Sequence, residues 1–95
     1  MKLLSIKPST RATKKYMATF LEDNGKQTIR HFGAMGMSDY TIHKDAERKM
    51  RYLLRHKSNE DWEDPKTAGA LSRWILWNKP TLSASIEDYK NHFNL

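Results

Sequence analysis

The sequence predicts a single α+β domain in which a small antiparallel sheet of three or four strands packs against about three helices. Residues 1–43 hold short runs of β-branched and aromatic residues between turn residues, whereas residues 44–95 show helical periodicity. The length of 95 residues is close to the commonest size of one domain. We therefore expect one domain over residues 1–95, β-rich over 1–43 and helical over 44–95.

Three strand-like segments and one turn account for the first part of the predicted sheet. Residues 3–6 have the composition of a short strand, and residues 16–21 follow with β-branched and aromatic side chains. Asn24-Gly25 is a strong signal for a two-residue type I′ hairpin, which leads into a return strand over 26–32.

Two glycines interrupt the return strand and predict a tight bend. Gly33 and Gly36 stand where the β-rich half meets the helical half, and glycine takes positive φ at little steric cost. Residues 39–43 regain strand composition, so a fourth strand is expected there.

The clearest predicted helix covers residues 44–56. Asp45 and Glu47 lie in its first turn, where negative charge complements the helix dipole. Its apolar spacing predicts a buried stripe formed by Ala46, Met50, Leu53 and Leu54. A second stripe is wholly cationic and is formed by Lys44, Arg48, Arg51 and Arg55.

Two further helices are predicted, the first with Asp64 as N-cap and the last with Ser83 or Ser85 as N-cap. The last helix carries an apolar stripe formed by Ile86, Tyr89 and Phe93. The first of them carries apolar residues on nearly every side, so it is either buried between layers or in contact with another subunit. We expect a homodimer whose interface includes Trp74 and Trp77.

The charge distribution is asymmetric and indicates a polyanion as partner. The net charge of +6 divides into 13 basic against 5 acidic residues over 1–57, which gives +8, and 4 against 6 over 58–95, which gives −2. The alternative is a basic face that is merely solvated.

The expected function is non-enzymatic DNA binding with little sequence specificity, because no base-reading helix motif is recognisable. Phosphate contacts are expected from Lys14, Lys15, Arg30, Lys44, Arg48, Arg51 and Arg55. DNA is favoured over RNA as the partner. The alternative is a protein-interaction or structural adaptor module with a solvated basic face.

Other chemistry finds no support in the residues. The chain has no cysteine, and its four histidines lack any metal-ligand spacing, so no metal and no cofactor are expected. Ser38, Asp39 and His43 are close in sequence, which does not supply the geometry of a triad, so no catalytic residue is assigned. An intracellular protein is expected, since the absence of cysteine fits that compartment. The N-terminus lacks the pattern of a signal peptide, and no stretch is long enough to span a membrane.

Residues 14–64 resemble a WGR domain, a small DNA-contacting module of several poly(ADP-ribose) polymerases. That pattern has a strand, a hairpin, an aromatic-Gly-x-x-Gly turn, another strand, then a helix ending before Asn-x-Trp. The order is matched by Phe32-Gly33-Ala34-Met35-Gly36, by residues 45–56 and by Asn59-Glu60-Asp61-Trp62. The name-giving Trp-Gly-Arg is Phe32-Gly33-Ala34 here, so the tryptophan and arginine that can grip a DNA end are absent.

Nearly the whole chain also resembles a small uncharacterised protein family of large nucleocytoplasmic DNA viruses. The resemblance rests on Gly36-x-Ser38-Asp39-Tyr40-Thr41-x-His43, on Arg55-His56-Lys57 and on the run from Ala68 to Pro80. It implies a viral protein that takes part in DNA organisation or packaging, located in the virion, the viral factory or the host nucleus.

Overall fold

The computed structural model describes all residues, 1–95, and has the predicted α+β architecture. Its sheet has three antiparallel strands in the order β1 (Lys2–Pro8), β2 (Lys14–Leu21) and β3 (Gln27–Ala34). The helices are α1 (Tyr40–His43), α2 (Ala46–His56), α3 (Ala68–Leu71) and α4 (Leu82–Phe93). A π-helical turn over Ser72–Leu76 continues α3, with the amide of Trp77 donating to the carbonyl of Ser72 at 3.1 Å.

The hairpin between β2 and β3 forms where it is predicted, but with a different turn. The amide of Gly25 donates to the carbonyl of Glu22 at 3.0 Å, and Gly25 has φ +84° while Asn24 stays at negative φ. This pattern is a type I turn followed by a glycine bulge, which suits a three-residue loop. The predicted two-residue type I′ turn, which needs positive φ at both central residues, is therefore wrong.

The glycine bend after β3 is confirmed. Gly33 and Gly36 have φ of +79° and +85°, in the region that side chains rarely adopt. A Cβ on Gly33 would lie 2.8 Å from a methyl carbon of Leu76, whereas a Cβ on Gly36 would meet nothing within 4 Å. Gly33 thus also serves a close contact between the sheet and the π-helical turn.

The fourth strand expected over residues 39–43 is instead the helical turn α1. The carboxylate of Asp39 accepts hydrogen bonds from the amide and the hydroxyl of Thr41, and this N-cap starts a helix despite the β-favouring composition. Lys44, at φ +55°, ends the turn and separates it from α2.

The core lies on one face of the sheet. The strand register places Phe20 opposite Leu3 and Phe32 opposite Tyr16, so these side chains share that face. The fully or almost fully buried cluster comprises Ala18, Phe20, Phe32, Leu71, Ile75, Leu76 and Tyr89. The predicted α4 stripe is confirmed, since Ile86 and Phe93 pack against this cluster beside the buried Tyr89.

The buried face of α2 is not the predicted one. Tyr52 is the buried residue of α2, and Lys49 is half-buried beside it. The stripe expected to be buried points outward, because Met50 and Leu54 are 57% and 67% exposed, Ala46 is exposed and Leu53 is only half-buried. The apolar periodicity of α2 therefore marks a surface rather than the core.

The caps of the last two helices also differ from the prediction. Thr67 is the N-cap of α3, accepting from the amide of Ala70, so Asp64 does not begin this helix. Thr81 caps α4, and Ser85 is instead buried within it, accepting from the amide of Lys79 at 2.9 Å. No helix combines the length and the apolar character that crossing a bilayer requires.

Candidate functional site

Three contacts fix α2 across the chain segment that follows the π-helical turn. The ring of Tyr52 stacks on Trp77 with a centroid distance of 4.3 Å and an interplanar angle of 4°. The ammonium of Lys49 donates to the carbonyl of Asn78 at 2.7 Å, and that of Lys44 to the carbonyl of Pro80 at 3.1 Å. Burial lowers the pKa of Lys49, and the charges of Arg73 and Lys79 lower it further.

This placement leaves a cleft of about 410 Å³ between the C-terminal half of α2 and the end of the sheet where β2 begins and β3 ends. The volume lies in the range of ligand-sized sites. Polar side chains that line the cleft include Lys14, Ser38, Arg55, His56, Glu60 and Ser72.

Three of the predicted phosphate-binding residues line this cleft, although 41 positions separate the first from the last: Lys14, Lys15 and Arg55. Arg51 and Arg48 lie one and two turns before Arg55 on α2, so helical spacing puts all three on one side. Among them only Arg51 has an acidic partner, a long 3.9 Å contact between its guanidinium and the exposed Glu47. Lys14 and Arg55 line the cleft, and Arg48 and Arg51 continue the same side of α2 without lining it. We call these four residues the cleft cations: Lys14, Arg48, Arg51 and Arg55.

Lys15 is not free to bind phosphate. Its ammonium lies 2.5 Å from the carboxylate of Asp39, and the two side chains are only 11% and 2% exposed. Buried charges of this kind persist because they are paired. Lys15 therefore compensates the carboxylate that caps α1, and its role is structural.

The remaining two predicted cations stand apart from the cleft. Lys44 is exposed but bonded to Pro80, and it precedes α2 rather than lying on the stripe of that helix. Arg30 is exposed on β3, where its guanidinium donates to the carbonyl of Ile29 at 3.2 Å. Neither side chain lines the cleft.

None of the acidic residues of the first 57 positions forms a close ion pair with a cleft cation. Asp45 caps α2 by accepting from the amides of Glu47 and Arg48. Three others pair with groups that are not cleft cations: Glu22 with Lys66, Asp23 with the N-terminal amine and Asp39 with Lys15. Glu47 makes only the weak contact with Arg51.

Glu60 is the acidic side chain inside the cleft that the sequence did not reveal as a site residue. Its carboxylate lies 3.3 Å from Nδ1 of His56 and rests against Gly69, where a Cβ would overlap a carboxylate oxygen. Burial raises the pKa of Tyr52 to about 12, and the negative charge of Glu60 adds to the shift. The i, i+4 spacing of His56 and Glu60 is the sequence feature that indicates their contact. Only the fold shows that this pair lines the same cleft as Lys14 and Arg55.

Trp74 and Trp77, the predicted dimer contacts, both have partners within their own chain. Trp74 stacks on His92 at 4.0 Å, and its indole N–H donates to the carbonyl of Trp62 at 3.0 Å. Trp77 stacks on Tyr52, as described above. The segment that carries them lies between the sheet and α4, which is the first of the two alternatives open from the sequence.

A family model matches residues 4–56, more than half of the chain, and its description is "Family of unknown function (DUF5754)". The chain belongs to this family. The segment of the DUF5754 match covers nearly all of the sheet together with α1 and α2, and it contains all seven predicted phosphate-binding residues, whereas Trp74 and Trp77 lie beyond it. No curated protein and no solved structure matches the chain.

Proposed function

We propose that this protein binds nucleic acid, DNA in preference to RNA, through phosphate contacts, without enzymatic activity and with little sequence specificity. The observation that supports the proposal is the grouping of the cleft cations on one surface with only one weak acidic contact among them. Unpaired cations gain most from a polyanion, because each contact with a phosphate releases condensed counterions.

The dimensions of the arginine stripe fit a nucleic-acid strand. Arg48 to Arg55 spans seven residues of α2, or about 10 Å of helix axis. One strand of B-DNA carries about three phosphates over that length. The three arginines can therefore each neutralise one phosphate, while Lys14 extends the contact across the cleft.

The resemblance to proteins of large DNA viruses extends the proposal to a biological setting, the organisation or packaging of viral DNA. A phosphate-directed contact suits this task, since packaging requires binding along the whole length of a genome rather than at one sequence.

Two triple variants with equal loss of charge test the proposal. The α2 triple variant is R48A/R51A/R55A, and the sheet triple variant, K2A/K7A/K26A, removes three exposed lysines that do not line the cleft. In anisotropy titrations with a labelled 20-base-pair duplex at moderate salt, we expect the α2 triple variant to lose more than about tenfold in affinity and the sheet triple variant about twofold or less. Equal losses would show that net charge, not this surface, governs binding. The same titrations with single-stranded DNA and with duplex RNA measure the preference for DNA.

A protein-interaction module is the second candidate, and one observation favours it. Of the seven large hydrophobic residues that are exposed, five come from residues 35–54. Three of these, Met35, Met37 and Ile42, line a shallow groove beside the cleft. Methionine-lined surfaces adapt to varied apolar partners. If the protein is an interaction module, wild-type protein should bind duplex DNA no more tightly than the α2 triple variant does.

A further inference from the structure

The outward face of α2 is an apolar surface that nucleic-acid binding does not use. Met50 and Leu54 lie one turn apart on it and are each more than half exposed, with Ala46 and Leu53 beside them. Tyr52 and Lys49 attach the helix to the rest of the molecule from the opposite side. Exposed apolar stripes with helical spacing are typical of helix–helix contacts.

Opposite charges stand at the two ends of this face. Glu47 lies seven residues before Leu54, and Lys57 lies seven residues after Met50, so both project on the same side as these apolar side chains. Lys57 retains helical backbone angles of φ −50° and ψ −43°, so the spacing holds to that residue. Glu47 is 89% exposed and makes only the 3.9 Å contact with Arg51, and Lys57 has no ion pair.

We propose that a second copy of this chain covers the face, with α2 packed antiparallel against α2 of the partner about a twofold axis. In that arrangement Met50 meets the partner's Leu54, and Glu47 meets the partner's Lys57. The twofold axis repeats both contacts, so four apolar side chains lie between two ion pairs. The face is thus complementary to itself, in charge as well as in apolar spacing.

This interface adjoins the cleft cations at Arg51, which contacts Glu47, but it does not rest on nucleic-acid binding. Arg48 and Arg55 project from α2 well away from the line between Met50 and Leu54, so they stay accessible in the dimer. The predicted dimer thereby moves from Trp74 and Trp77, which contact their own chain, to α2. Association would double the cationic area that one particle presents to a polyanion.

Charge reversal at the two ends gives a specific test. In wild-type protein, sedimentation equilibrium over a concentration series should show the mass rising from 11.2 kDa towards twice that value. Glu47→Lys alone and Lys57→Glu alone each place like charges together twice, so each variant should lose at least tenfold in dimer affinity. An equimolar mixture of the two variants restores both ion pairs and should associate with nearly wild-type affinity.

Two further variants separate the apolar contact from a general effect. Leu54→Lys should abolish association, whereas Ile29→Lys, which changes a half-exposed residue of β3, should leave it unchanged. Circular dichroism verifies that each variant is folded. A wild-type protein that stays monomeric up to millimolar concentration would overturn the proposal. A dimer that the charge reversals do not weaken, or that their mixture does not restore, would overturn it equally.

Discussion

Replacing Lys15 by methionine removes the cation of the buried ion pair and keeps a side chain of similar length. Asp39 retains the hydrogen bond from the amide of Thr41 at 2.9 Å but loses the 2.5 Å contact with the Lys15 ammonium. Removing one partner of a buried pair costs about 3–5 kcal/mol, because the other charge is left uncompensated. A domain of this size has a total stability of roughly 5–14 kcal/mol, so this single change removes a large share of it.

Urea denaturation followed by circular dichroism measures this loss, and thermal melting should show a fall in Tm of at least about 12 °C. Lys66→Met is the matched control, since it breaks a 2.9 Å pair with Glu22 that is much more exposed. Exposed pairs are worth about 1 kcal/mol or less. Adding Asp39→Asn to Lys15→Met should recover most of the stability, because asparagine also caps helices and carries no charge. If Lys15→Met costs no more than Lys66→Met, the structural role assigned to Lys15 is wrong.

Three further predictions concern the glycine bend, the stacked tyrosine and the acid of the cleft. Gly36→Ala should cost only the strain of positive φ, about 1–2 kcal/mol. Gly33→Ala should cost about 1–3 kcal/mol more, because its Cβ would overlap Leu76. Equal unfolding free energies of the two variants in urea would contradict the close contact between Gly33 and Leu76. Burial raises the pKa of Tyr52 to about 12, so the stability that its neutral form contributes is present below pH 10 and is lost as the pH rises towards 12, at up to about 1.4 kcal/mol per pH unit. Urea midpoints measured from pH 9 to 11.5 should therefore fall more steeply for wild-type protein than for Tyr52→Phe. Parallel curves would refute the burial of the Tyr52 hydroxyl. Glu60→Gln should raise duplex DNA affinity about threefold or more, because it removes a negative charge beside Lys14 and Arg55. The control Glu87→Gln, on the exposed side of α4, should change the affinity little. Equal effects of the two variants in anisotropy titrations would count against the cleft as the binding surface.

The sequence predicts those parts of the fold that depend on neighbouring residues. The Asp23-Asn24-Gly25 turn, the bend at Gly33 and the apolar stripe of α4 each follow from local backbone or periodicity rules, and the structure contains all three. The predicted type I′ turn is wrong, because the three-residue loop and the two-residue loop share the same Asn-Gly signal.

Contacts between distant segments decide the elements that the sequence misassigns. Residues 39–43 have strand composition, yet the cap made by Asp39, whose charge Lys15 compensates from 24 positions away, makes them helical. The orientation of α2 depends on the stack of Tyr52 with Trp77, 25 positions away. The apolar periodicity of the sequence predicts a stripe on α2 but does not determine which side of the helix packs against the rest of the protein.

The same limit applies to the candidate site. Lys14 and Lys15 are equivalent in the sequence, and only the position of Asp39 shows that the second of them is occupied. The stripe from Arg48 to Arg55 follows from helical spacing alone and could be predicted. Its meeting with Lys14, and the presence of Glu60 in the same cleft, required the fold.

The salt dependence of DNA affinity tests the central claim, that the cleft cations bind phosphates, most directly. Plots of log affinity against log salt from 50 to 300 mM NaCl should have a slope about three units shallower for the α2 triple variant than for wild-type protein. The sheet triple variant, with the same net charge, should stay within about one unit of the wild-type slope. Identical slopes for the two triple variants, or a wild-type protein that does not bind duplex DNA at 50 mM salt, would contradict the account.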